Sequence, residues 1–141
     1  QVWSLDLIVA IIIFLSGVIV LYVYAVNYNS QGQNQLNEMF YDGNLASKLL
    51  LSEESYGLLS DGRINQTKLE AFNSSSSQNK KNSLGAKYNF YFTFPGMKID
   101  GNPVNEIGIV NTTEIANLIQ ITRITIYENT PTKFQLFVWS Q

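Results

Sequence analysis

From Leu7 to Val26 the chain carries no charged side chain and little besides Leu, Ile, Val, Ala, Phe and Tyr. Asp6 stands at the edge of this run. As a helix, some twenty residues at about 1.5 Å each cover about 30 Å, the hydrocarbon thickness of a bilayer. A helix apolar on every side must lie in lipid or be buried against copies of itself. The pattern therefore predicts a hydrophobic helix over residues 1–26. The chain then turns polar (NYNSQGQNQLN), and Gly32 weakens the helix there without ending it. Beyond it Leu36, Met39, Phe40, Gly43, Ala46, Leu49 and Leu50 recur at steps of three and four, which predicts an amphipathic continuation over 27–54. Gly43 lies in that stripe, where a missing side chain lets another element approach closely.

The remaining pattern, over 55–141, belongs to a β-rich head. Ser60-Asp61-Gly62 signals a turn, and Gln66 to Phe72 suits a short helix. Asn73 to Ser83 (NSSSSQNKKNS) is polar and of low complexity, which predicts a mobile exposed loop. The period then changes to two. Tyr88, Phe90, Phe92 and Phe94 share one strand face, and Pro95-Gly96 ends it. Ile107 to Val110 suits a short strand, while Asn111 to Leu118 fits either a loop or a helical turn. Ile121–Glu128 and Lys133–Trp139 predict a hairpin joined around residues 129–132, with Thr122, Ile124 and Ile126 facing the same way as Phe134, Leu136 and Val138. Such a sheet needs a cover, and the Leu36–Leu50 stripe is the candidate. The fold class expected is α+β: a long N-terminal helix, about 1–54, with a small antiparallel sheet packed on its outer half.

Composition narrows the function. The 141 residues leave room for one small domain beyond the apolar run. A net charge of −2 gives no basic footprint, so no nucleic-acid partner is expected. Cys and His are both absent, which removes disulfides, thiolate metal sites and the commonest general base. The carboxylates are scattered, with no nucleophile–base pair, phosphate-binding loop or metal spacing among them. The expectation is a protein that is not an enzyme and takes no cofactor.

Several residues stand out as candidates for assembly. Asp6 is costly at the edge of an apolar bundle unless paired. The nearest cation is the α-amino group of Gln1, its own or a neighbour's; the other reading is an interfacial or helix-capping carboxylate. Val9, Ile13 and Val20 lie within the apolar run. Gly17 beside Ser16 either permits close helix packing or is incidental, since no GxxxG spacing surrounds it. Tyr22, Tyr24 and Tyr28 suit a membrane interface or aromatic packing between helices. Three N-glycosylation sequons, at Asn65, Asn73 and Asn111, fall in the predicted head loops.

The opening pattern resembles a mature archaeal type IV pilin: Gln1 first, a few residues, the acidic Asp6, then about twenty apolar residues. The missing initiator Met and the absence of Lys or Arg ahead of the run fit the removal of a basic prepeptide. The resemblance implies a lollipop-like subunit held in the cell membrane before assembly, with a prepilin peptidase and pilus machinery as partners. It further implies extraction into a helical homopolymer on the cell surface, serving adhesion or attachment. The alternative is a minor pilin or a membrane-anchored extracellular binding module. Bacterial pilins usually start with an aromatic residue, place Glu at the fifth position and carry a C-terminal disulfide loop, none of which is found here. Archaellins share a related leader but usually carry a larger β-sandwich.

Overall fold

The computed structural model describes residues 2–110 and 113–141, and their side chains except at 2, 3 and 29–31. Gln1 and Asn111 lie outside the described residues. By their contacts the residues form two compact units, Gln1–Gln35 and Leu36–Gln141.

The first unit is helical. Helix α1 (Val2–Leu50) supplies it and continues into the second. Every large apolar side chain from Leu5 to Tyr28 is between 45% and 74% exposed. Among the described side chains from Leu5 to Tyr28, no face of this helix is covered.

The second unit is an α+β head. A four-stranded antiparallel sheet has the order β6-β3-β8-β7, from β3 (Asn89–Thr93), β6 (Ile107–Gly108), β7 (Asn117–Tyr127) and β8 (Thr130–Ser140). The outer part of α1 packs on it as expected. Met39, Gly43, Ala46 and Leu50 turn inward, while Leu36 and Phe40 stay exposed. Gly43 does what its place in the stripe implies: a Cβ there would lie 2.6 Å from Ile121 Cδ1 and 2.9 Å from Val138 Cγ2. Below α1 the chain folds back as Leu58 N–H donates to the Leu50 carbonyl at 2.7 Å.

Four expectations need correction. The stretch Asn73–Ser83 is not a loop: α2 (Gln66–Ser74) takes its first two residues, α3 (Ser77–Leu84) takes Ser77–Ser83, and only Ser75 and Ser76 lie between them. Ser76 caps α3 by accepting from Asn79 N–H at 3.2 Å, and Gly85 ends it at φ +59°. Lys80 and Leu84, one turn apart, anchor it inward.

The hairpin is longer than its apolar core. Strands β7 and β8 pair from Asn117↔Ser140 to Tyr127↔Thr130, leaving Glu128-Asn129 as a two-residue turn. Both turn residues have positive φ, +47° and +64°, as this tight connection requires. Pro131 is tolerated in β8 because β3 pairs only with Gln135–Trp139.

The inward face of β7 is the opposite one. Ile121, Thr125 and Tyr127 are buried and Arg123 is half-buried, whereas Thr122, Ile124 and Ile126 are exposed. Nor is α1 the only cover. Leu69 and Phe72 of α2 and Leu84 of α3 join the same core, with the Phe72 ring 5.8 Å from that of Phe92.

Two short hairpins complete the head: β1 (Leu59–Ser60) with β2 (Arg63–Ile64), and β4 (Lys98–Ile99) with β5 (Asn102–Pro103).

Candidate functional site

The candidate assembly residues belong to the first unit. Steps of three and four on a continuous helix put Asp6, Val9, Ile13, Gly17 and Val20 on one face of α1. Val9, Ile13 and Val20 are exposed, and a Cβ on Gly17 would meet nothing within 4 Å. The mean hydropathy of the best 18-residue window is 2.9, and none of it is buried in its own chain. By length and composition this helix is able to cross a membrane.

Its polar interruptions are largely settled within the helix. Ser16 Oγ donates to the Ile12 carbonyl at 2.8 Å, so this hydroxyl needs no partner from lipid or a neighbour. The Tyr24 and Tyr28 rings stack one turn apart, with centroids 6.1 Å from each other. Asp6 is exposed, and its proposed ion pair with Gln1 lies outside the described residues.

Two polar clusters that the sequence did not reveal fix the outer part of α1 to the head. Asp42 accepts from the backbone N–H groups of Lys87 and Tyr88 at 3.0 and 3.1 Å. One turn earlier, Glu38 Oε2 takes the Lys87 ammonium at 2.8 Å and the Tyr88 hydroxyl at 3.1 Å. The hydrogen bond from Lys87, then that from Tyr88, hold the Glu38 carboxyl below its ordinary range; the same Glu38 contact raises Lys87. Tyr88 is pushed up, first by burial and then by Glu38. On the other side Arg123 Nε donates to Ser47 Oγ at 2.7 Å, and its Nη2 to Asn44 Oδ1 at 3.4 Å. The only advance sign of these clusters was Asp42, Asn44 and Ser47 flanking the apolar stripe.

The sequon residues have structural duties. Asn65 caps α2, its Oδ1 accepting from Lys68 N–H at 3.1 Å. Asn73 sits in the last turn of α2 rather than in a loop, and its carbonyl accepts from Lys80 Nζ at 2.8 Å. Burial pulls the Lys80 ammonium below its usual range. Among the described residues no group of three or more Asp, Glu, His or Cys converges to hold a metal.

Comparison of the chain with protein-family models, with curated proteins and with solved structures returned no match. The function must be argued from the chain itself. A long apolar N-terminal helix followed by a small antiparallel sheet is compatible with a pilin-like fold.

Proposed function

We propose that this chain is the major structural subunit of an extracellular type IV pilus-like filament, polymerising through its N-terminal helix to serve adhesion or surface attachment. One observation carries the reading: some twenty consecutive residues of α1 present an apolar surface that their own chain leaves bare. Burying one Leu, Ile or Val side chain is worth roughly 1.5–3 kcal/mol, so such a helix strongly favours lipid or its own kind over water. A head-to-tail contact whose rotation does not close gives an open helical fibre. The shared face of Asp6, Val9, Ile13, Gly17 and Val20 is the assembly face in this reading. Membrane residence precedes assembly, and a prepilin peptidase and pilus machinery act on the chain. Glycans on the sequons belong to the same extracellular reading.

The test is electron microscopy of material sheared from producing cells, with mass spectrometry of the same pellet. Thin fibres composed mainly of this chain are expected. A chain found only as a detergent-soluble monomer overturns polymerisation and leaves a membrane-anchored binding module. A trace presence in fibres built of another subunit makes it a minor pilin.

A further inference from the structure

We propose that a cleft on the head, between the 52–57 loop and helices α2 and α3, binds a neutral saccharide. The cleft holds about 490 Å³, within the size range of small-molecule sites. Its lining includes Ser55 and Tyr56 from the loop, Phe72 from α2, and Asn79 and Asn82 from α3.

The chemistry of the lining selects the ligand class. No carboxylate lines the cleft. Its one cation, Lys68, is turned to the carbonyls of Leu59, Glu53 and Glu54 at 2.7, 3.2 and 3.5 Å. A cation therefore meets no carboxylate here, and an anion meets an ammonium whose N–H donors are already taken up by backbone carbonyls. What the cleft offers is neutral hydrogen-bonding capacity. Among the described residues, the Asn79 side-chain amide and the hydroxyls of Ser55 and Tyr56 meet no partner. Asn82 accepts from Gln78 through Oδ1 at 2.9 Å, leaving its Nδ2 as a donor. An amide presents a donor and an acceptor side by side, which matches adjacent hydroxyls on a sugar ring. The Tyr56 ring is 62% exposed and supplies a flat apolar face for the ring's C–H groups.

The site is also held in place before any ligand arrives. The loop carrying Tyr56 is pinned by Gly57 N–H to the Glu54 carbonyl at 2.9 Å and by Lys68 Nζ to the Glu53 and Glu54 carbonyls. A side chain at Gly57 would collide with the Ser52 carbonyl, so the loop admits little variation there. Asn79 and Asn82 are three apart on α3 and share a side. Asn82 is tied to Gln78 one turn earlier, whereas the Asn79 side chain makes no such bond along the helix.

The experiment uses the full chain in phosphatidylcholine nanodiscs, because glycosidic detergents would themselves compete for the cleft. Saturation-transfer NMR is recorded with glucose, galactose, mannose and N-acetylglucosamine at millimolar concentration. Transfer to at least one sugar is expected, with loss in Tyr56→Ala and a weakening of about tenfold in Asn79→Ala, the worth of roughly one hydrogen bond. Asn82→Ala removes the other amide from the lining and keeps the test open should Tyr56→Ala fail to fold; it too should weaken binding about tenfold. No transfer to any of the four sugars, or equal transfer in the folded variants, overturns the assignment. Filaments are scored separately by microscopy, so a chain that polymerises without binding sugar sinks the saccharide site alone.

Discussion

Gly43 and Ile121 face each other across the joint between helix and sheet, so close that a Cβ on Gly43 would stand 2.6 Å from Ile121 Cδ1. Gly43→Ala gains about 1 kcal/mol of helix propensity but overpacks a joint where such strain costs about 1–3 kcal/mol. The Ile121 tip can swing aside, whereas Val138 Cγ2 at 2.9 Å sits on a single stiff torsion. The expected net loss is about 1 kcal/mol for Ala and clearly more for Leu. Denaturant unfolding followed by the near-UV signal of the buried Trp139 measures it; unchanged stability in Gly43→Leu would show that α1 and the sheet do not meet here.

Arg123 and Ser47 make a second cross-link between the same elements, over 76 residues of sequence. Ser47 is fully buried and its hydroxyl also donates to the Asn44 carbonyl at 2.9 Å, so Arg123→Ala removes one charge-assisted bond without orphaning it and should cost about 1–2 kcal/mol. A double-mutant cycle with Ser47→Ala should show a coupling of at least about 0.5 kcal/mol. Strict additivity of the two losses contradicts the contact.

The Glu38–Lys87–Tyr88 cluster predicts a pH dependence at both ends of the scale. Glu38 titrates lower in the folded chain, so its contribution is full above the ordinary glutamate value of about 4.3 and fades as pH falls through the folded value. Lys87 is raised, so its share is full below its ordinary value of about 10.4 and is lost as pH rises through the folded one. Tyr88, also raised, is lost on the same alkaline side. The melting-temperature gap between the parent chain and Glu38→Gln should thus be flat near neutrality and close at strongly acid pH. A gap that widens on acidification runs against the assigned sign.

How much of this was legible in the sequence depends on where apolar residues mark the inside. The bare run from Leu7, the stripe through Met39 and Leu50, and the Phe90-Phe92-Phe94 face announce themselves because burial and hydrophobicity coincide. Helix α3 does not, since only Leu84 is an apolar anchor and the rest is Asn, Ser, Gln and Lys. Its signal was in the ends, with Ser76 as cap and Gly85 as stop. The parity of β7 was hidden for the opposite reason: both of its faces carry isoleucine, and the inward one includes Arg123 and Thr125. The partners Ser47 and Asn44 on α1 explain why an arginine faces in. The same blindness hid the sugar-sized cleft, whose two amides lie in a segment that resembles a linker.

Within the apolar run, Val9→Lys or Ile13→Lys should abolish filaments, because a lysine at the centre of such a helix costs about 2.5–3.5 kcal/mol on an insertion scale. The Trp139 signal of the head should be unchanged. Normal fibre yield from either variant, scored by electron microscopy of sheared material, sinks the helical-core reading.

Asn65 combines a cap with a sequon, and the two are separable. Asn65→Ala removes both and should cost about 1 kcal/mol of head stability. Asn65→Asp keeps an acceptor for Lys68 N–H and removes only the sequon. Intact-mass analysis of the two variants beside their melting curves tells modification from folding; equal destabilisation by both changes excludes the capping role.

Among the described residues, the core of the head begins at Met39 and draws on nothing before it. The globule therefore closes on itself whatever medium surrounds residues 4–28. One backbone thus holds two solvent preferences, one satisfied by folding and the other left open by its own chain. A change of surroundings for the helix asks no refolding of the head. What the head displays on its surface is set by its own core.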